Sequence, residues 1–102
     1  MRRRAARVDR NQPEIVEALR KVGCRVAPMH AAGQGFPDLV VGIPARAAPF
    51  RAPRIALFEV KDGQKPLSER RLTPEQEAWH ALWSGYPIYV VESVEQALEA
   101  VK

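Results

Sequence analysis

The chain has 102 residues, which is enough for one domain with a single hydrophobic core and too few for a second. Sixteen Lys and Arg against twelve Asp and Glu give a formal charge of +4, a balance that suits a polyanionic partner. The single Cys24 excludes an internal disulfide and a cysteine-based zinc cluster. No apolar run approaches the roughly 18 residues of a transmembrane helix, and the basic start is not followed by a signal-peptide core, so we expect a cytoplasmic protein with no membrane contact.

The N-terminal segment is rich in arginine and has little to bury. We predict a flexible basic arm over residues 1–10 and a single folded domain over residues 11–102. Arg2, Arg3 and Arg4 are candidate contacts to nucleic-acid phosphates. The alternative is a solvated terminus without a partner.

The domain begins with an amphipathic helix and a run of strands. Pro13 suits a first helical turn, and an apolar stripe follows it until Gly23 ends the helix. Short apolar runs predict strands at residues 24–28, 38–41 and 55–61. The intervening residues 44–54 are rich in proline and arginine and predict a projecting turn between two antiparallel strands. The stripe of the helix consists of Ile15, Val16, Leu19 and Val22.

Two capping patterns open the later helices. Thr73 with Gln76 and Ser93 with Gln96 have the N-cap and N3 spacing of a capping box. A buried strand is predicted at residues 88–91 between the two helices. The inward side chains are expected to be Trp79, Leu82 and Trp83 in the first helix, and Ala97, Leu98 and Val101 in the second. The result is an α/β domain of order αβββαβα, with a central mixed sheet of about four strands flanked by three helices.

The strand at residues 55–61 carries charges where a buried strand should have none. Successive side chains alternate faces, so Glu59 and Lys61 point one way while Phe58 and Val60 point the other. Charges in this setting cost desolvation energy unless they are paired or bind a ligand. Asp38 opens the neighbouring apolar run in the same manner. The alternative is an edge strand whose polar face meets solvent.

This group of residues has the chemistry of a magnesium-dependent phosphodiesterase. Mg²⁺ prefers oxygen ligands and needs only one or two carboxylates, which Asp38 and Glu59 can provide. The main-chain carbonyl of Val60 can serve as a third ligand. Lys61 is then expected to stabilise the charge that develops on the phosphate.

Two further residues have competing interpretations. Glu14 lies about a third of a turn from the apolar stripe and can reach over the sheet, or it interacts only with the helix dipole. Gln76 belongs either to the site or to the capping box. Basic residues of the loop before the second capped helix are candidate nucleic-acid contacts, namely Lys65, Arg70 and Arg71.

These motifs resemble those of a known nuclease family. Glu14, the runs GFPDLVVG and LFEVKDG, and LTPEQ together are similar to the PD-(D/E)XK nuclease superfamily, specifically to the stand-alone VRR-NUC domains of phages and bacteria. The resemblance extends from residue 14 to about residue 91.

The resemblance implies a restriction-endonuclease-like fold, in the cytosol of a bacterial or phage-infected cell. It implies metal ligation by Asp38 and Glu59, a catalytic Lys61, a supporting acid at Glu14 and a Gln76 close to the active site. The activity implied is Mg²⁺- or Mn²⁺-dependent hydrolysis of DNA phosphodiesters, with branched or junction DNA among the substrates. The alternative is a non-catalytic nucleic-acid-binding or adaptor domain of a mobile element.

The same resemblance implies a homodimer. Resolving a four-way junction needs two symmetric cuts, hence two copies about a two-fold axis. Large apolar side chains are candidates for the contact, namely Phe50, Trp79 and Trp83. The alternative is that the tryptophans fill the core.

Overall fold

The computed structural model describes residues 8–102, and Arg2, Arg3 and Arg4 lie outside this range. The elements are α1 (Gln12–Lys21), β1 (Arg25–Pro28), β2 (Leu39–Ile43), β3 (Arg54–Val60), α2 (Pro74–Leu82), β4 (Ile88–Val91) and α3 (Val94–Ala100). A single 3-10 turn, Leu67–Glu69, precedes α2. This order confirms the prediction of a small α/β domain of order αβββαβα. No helix within the described range is long and apolar enough to cross a membrane.

The four strands form one mixed sheet in the order β1-β2-β3-β4. The first three strands are antiparallel, and β4 pairs parallel to β3 because α2 carries the chain back across the sheet. β3 is therefore a central strand, as predicted. The strand predicted at residues 88–91 is present as β4, but the prediction that it is buried is wrong, because β4 lies at the sheet edge and leaves Tyr89 and Val90 exposed.

Two helices cover the core. α1 buries Ile15, Val16 and Leu19, as its stripe predicts, and α3 buries Ala97. The fourth stripe residue, Val22, is exposed because the helix ends one residue before it. Phe58 of β3 is fully buried in the same cluster.

The second helix departs from its predicted role. The capping box of Thr73 and Gln76 is present, but no residue of α2 is buried. Leu82 is 81% exposed and Trp83 is 39% exposed, so the prediction that they pack inside is wrong. α1 and α3 supply the apolar side chains that cover the core, so α2 does not contribute to it.

A glycine allows α2 to lie close to the loop before β2. Gly35 has φ +82°, and a Cβ there would come within 2.5 Å of the main-chain oxygen of Glu75 in the first turn of α2. Only glycine combines this backbone conformation with so close an approach. The loop that ends at Asp38 is thereby held against the helix that carries Gln76.

Candidate active site

The sheet register brings the two predicted carboxylates together. Leu39 of β2 pairs with Phe58 of β3 in an antiparallel ladder. Continuing that register by one residue sets Asp38 opposite Glu59, with both side chains on the same face. The two acids are 21 positions apart in the chain, and only the β2–β3 pairing makes them neighbours.

Asp38 also closes the end of the ladder. Its Oδ2 accepts a hydrogen bond from the main-chain N–H of Val60 at 2.8 Å. Its own carbonyl accepts from the N–H of Met29 at 2.7 Å, so the residue is fixed from both sides. The next register position sets Pro37 opposite Val60. Since proline has no N–H to donate, it leaves the Val60 carbonyl available to a ligand on that side.

Gln76 links the other two predicted site residues. Its Nε2 donates to Glu59 Oε2 at 2.9 Å, and its Oε1 accepts from Lys61 Nζ at 2.9 Å. The same Oε1 accepts from the N–H of Thr73 at 2.9 Å, which is half of the capping box. The capping role and the site role are therefore not alternatives, because the amide oxygen has two lone pairs and serves both.

Glu59 is in an environment that favours its neutral form. Its side chain is 1% exposed. The pKa of Glu59 is raised to about 9, chiefly by burial and then by the hydrogen bond and charge repulsion of Asp38, with a smaller increase from Asp9, while Lys61 opposes the shift. At pH 7 the carboxyl of Glu59 therefore keeps its proton.

Two buried atoms of the site face each other without a hydrogen bond. Glu59 Oε1 and His80 Nε2 lie 3.8 Å apart, and neither has a partner among residues 8–102. Burial lowers the pKa of His80, and Lys61 lowers it further, so the imidazole is neutral at pH 7. With Glu59 protonated as well, the contact is not an ion pair.

His80 and Asp9 are site residues that the sequence analysis missed. His80 lies four positions after Gln76, and this spacing sets both side chains on one face of α2. This spacing in the sequence could have indicated that His80 lies near the site. Asp9 gave no signal, because it lies in a segment assigned to the arm and approaches the site only through the packing of the N terminus. Its carboxylate lies 3.6 Å from Lys65 Nζ.

The start of α1 is fastened to the end of β3. Asn11 Nδ2 donates to the carbonyls of Lys61 and Glu92 at 3.1 and 3.2 Å. Arg10 Nε donates to Asp62 Oδ2 at 2.9 Å, although Arg10 was assigned to the arm. Arg10 and the N–H of Gln64 hold the pKa of Asp62 below its usual value. Asp62 thus forms the turn after β3 and is not part of the carboxylate pair.

Glu14, the predicted supporting acid, is not among the buried residues of the site. Glu14 is exposed, and the first turn of α1 buries Gln12 instead. Asp62 and, more weakly, Glu14 raise the pKa of Arg10. The role of Glu14 stays a prediction.

Of the basic residues predicted to contact DNA, Arg70 is already engaged. Its Nη1 donates to Glu92 Oε1 at 3.0 Å, and its Nε donates to the carbonyl of Lys65 at 2.8 Å. Arg71 and Lys65 are exposed. Arg70 therefore orders this loop. Arg71 is better placed to meet a phosphate, and Lys65 is exposed but faces Asp9.

The carboxylate pair fits a divalent cation better than a histidine- or cysteine-bound metal. Within residues 8–102 no group of three or more His, Cys, Asp and Glu side chains is arranged to hold a metal ion. Asp38 and Glu59 offer two carboxylates, and the Val60 carbonyl adds a third oxygen. Glu59 Oε1 is buried without a donor, which a cation would remedy. Oxygen donors in this small number are typical of Mg²⁺ sites, which keep several waters.

Comparison of the chain with protein-family models, curated proteins and solved structures found no significant match.

The raised pKa of Glu59 predicts an unusual pH dependence of stability. In the unfolded chain Glu59 ionises near its ordinary pKa of 4.5, but in the fold it keeps its proton to about pH 9. Without divalent ions, the free energy of unfolding should therefore fall as pH rises from 4.5 to 9. We expect a loss of about 2–4 kcal/mol, less than a fully independent group would give because Glu59 interacts strongly with neighbouring charges.

Chemical denaturation of wild type, E59Q and E17Q over this pH range checks the prediction. Glu59→Gln keeps a donor toward Asp38 but has no proton to lose, so its profile should be flatter. Glu17 is exposed and serves as the matched control. If the free energy of unfolding depends on pH in the same way for wild type and E59Q, the raised pKa of Glu59 is contradicted.

Proposed function

We propose that this chain is a metal-dependent nuclease of the PD-(D/E)XK superfamily that hydrolyses DNA phosphodiester bonds with Mg²⁺ or Mn²⁺. The observation that carries the proposal is the pairing of half-buried Asp38 with buried Glu59, whose carboxyl is joined through Gln76 to the ammonium of Lys61. The four-stranded mixed sheet of order αβββαβα is compatible with the restriction-endonuclease-like fold that this assignment implies.

Each residue of the site has a distinct task in this proposal. Asp38, Glu59 and the Val60 carbonyl hold the divalent ion. When bound, the ion supplies Lewis-acid neutralisation of charge on the phosphate and promotes ionisation of water. Gln76 fixes the ammonium of Lys61 beside the carboxylates, where it stabilises negative charge that develops on the phosphate oxygens.

A binding module or adaptor explains the same residues less well. Such a domain gains nothing from a carboxyl that is buried, protonated and in contact with a second carboxyl. Burying ionisable groups without a ligand costs stability, and strongly shifted pKa values are concentrated at functional sites. The alternative would be favoured if the domain bound DNA but neither bound Mg²⁺ nor cut.

The proposed partner is DNA, contacted first through exposed basic side chains such as Arg71 and Lys65. Junction or branched substrates stay a prediction, and so does the homodimer they require. Phe50, 77% exposed in the loop between β2 and β3, is its candidate contact.

Removing the ammonium of Lys61 should abolish cleavage while preserving the fold. In Lys61→Ala, Gln76 Oε1 still accepts from Thr73, so no buried acceptor is left unpaired. We expect cleavage to slow by about 100-fold or more, as for loss of one charge-stabilising donor. Single-turnover cleavage of labelled linear, flapped and four-way DNA, with and without Mg²⁺, measures the effect.

The matched control for that experiment is Lys21→Ala, which removes an exposed lysine from the last turn of α1. K21A should cleave at the wild-type rate. If K61A cuts as fast as K21A, Lys61 has no role in the chemistry.

Gln76 and Gln96, the N3 residues of α2 and α3, allow a separate test of the link that Gln76 makes between Glu59 and Lys61. Gln76→Ala removes the donor to Glu59 and the acceptor of Lys61, so cleavage should fall by about tenfold to 100-fold through misplacement of the ammonium. Gln96→Ala is the control, because Gln96 has the corresponding position in α3 but accepts only from the N–H of Glu92.

Single-turnover rates and unfolding free energies of both variants separate catalysis from stability. Q96A should lose only about 0.5–1.5 kcal/mol of stability and keep its cleavage rate. Equal rates for Q76A and Q96A would contradict a role for the link.

A further inference from the structure

A row of aromatic rings runs along α2 and away from the site. Phe36 meets Trp79 edge-on at 5.3 Å between ring centroids. Trp79 stacks on Trp83 at 4.9 Å with 7° between the planes, and Tyr86 meets Trp83 edge-on at 5.4 Å. We call Phe36, Trp79, Trp83 and Tyr86 the aromatic row.

The aromatic row becomes more exposed with distance from the site. Trp79 is half-buried, Trp83 is 39% exposed and Tyr86 is 63% exposed. Rings of this size normally fill a core, but the core of this domain is covered by α1 and α3. The outer rings therefore present aromatic surface to solvent.

The aromatic row shares its helix face with the site. Gln76, Trp79, His80 and Trp83 have the spacing i, i+3, i+4 and i+7, which aligns them on one side of α2. With a rise of 1.5 Å per residue, Trp83 lies about 10 Å along the helix from Gln76. That separation corresponds to about three nucleotide steps at the 3.4 Å spacing of a stacked strand.

We propose that the aromatic row binds unpaired bases of the DNA substrate, with a base stacking on Trp83 while the phosphodiester lies at the carboxylate pair. The inference rests on the proposed nuclease function and specifies its substrate class as DNA with a single-stranded stretch next to the cut. Stacking on aromatic rings is tolerant of base identity, because every base has a π-face.

The position of the aromatic row favours a nucleotide over a second copy of the chain. A partner subunit seated on this face would also cover Gln76 and His80 and so obstruct the site. A single strand instead passes along the face, with bases against the rings and phosphates toward the cations. Arg71, exposed just before α2, and the ammonium of Lys61, bonded to Gln76 in the first turn of that helix, match the charge of the strand.

The two tryptophans make the proposal directly observable. They are the only tryptophans in the chain, so fluorescence excited selectively at tryptophan reports on the aromatic row alone. The wild-type protein in EDTA, which prevents cleavage, is titrated with an oligothymidylate, with an abasic strand of equal length and with a blunt duplex. We expect the oligothymidylate to quench fluorescence, and the abasic strand to bind more weakly without quenching.

Three variants separate stacking from general apolar contact, with affinities measured by anisotropy of labelled DNA. Trp83→Ala and Trp83→Leu should each weaken oligothymidylate binding by about tenfold and leave abasic binding unchanged. Leucine retains apolar surface but has no ring. Leu82→Ala removes an exposed apolar side chain of the same helix that is not part of the aromatic row, and it should bind within about twofold of wild type.

The proposal fails if the abasic strand binds and quenches like the oligothymidylate, or if W83L binds like wild type. It also fails if light scattering shows that W83A converts a dimer to a monomer while the dependence on bases persists. The proposed nuclease function is tested separately by cleavage with Mg²⁺. Base-dependent binding without any cleavage would overturn the nuclease assignment alone, and cleavage with base-independent binding would overturn this inference alone.

Discussion

The site depends on one constraint, namely that the carboxyl of Glu59 is buried beside a second carboxyl. The antiparallel register of β2 and β3 sets Asp38 opposite Glu59, and the Val60 N–H holds Asp38 in place. Two ionised carboxylates on directly opposed residues repel each other, so Glu59 keeps its proton in the absence of a cation. A divalent ion relieves that repulsion. The free-energy cost of placing two carboxylates side by side thus indicates that the pair is suited to bind a divalent cation.

α2 is held in place by polar and close backbone contacts more than by burial. Gln76 ties its first turn to Glu59 and Lys61, and Gly35 permits the loop before Asp38 to approach the same turn. The helix therefore completes the candidate active site instead of filling the core. Its exposed rings at Trp83 and beyond are free to meet a substrate.

Local patterns in the sequence predicted the elements well, because caps and strand alternation are properties of a few adjacent residues. The capping box at Thr73 and the alternation of Glu59 and Lys61 along β3 are of this kind. The prediction failed at Trp83, where the helical pattern suggested a core face. Periodicity does not indicate which helices cover a sheet, and in this fold α1 and α3 cover it. The proximity of His80 and Asp9 to Glu59 likewise depends on how distant segments pack.

Calorimetric titration of the wild type with Mg²⁺ at pH 7.5, in two buffers of different ionisation enthalpy, tests the central claim most directly. If the ion binds the carboxylate pair, it must displace the proton of Glu59, and about one proton should be released for each ion bound. E59Q should bind without releasing a proton, and Asp38→Ala should bind much more weakly. Mg²⁺ binding that releases no proton and is unaffected by D38A, or no binding at all, would contradict the account.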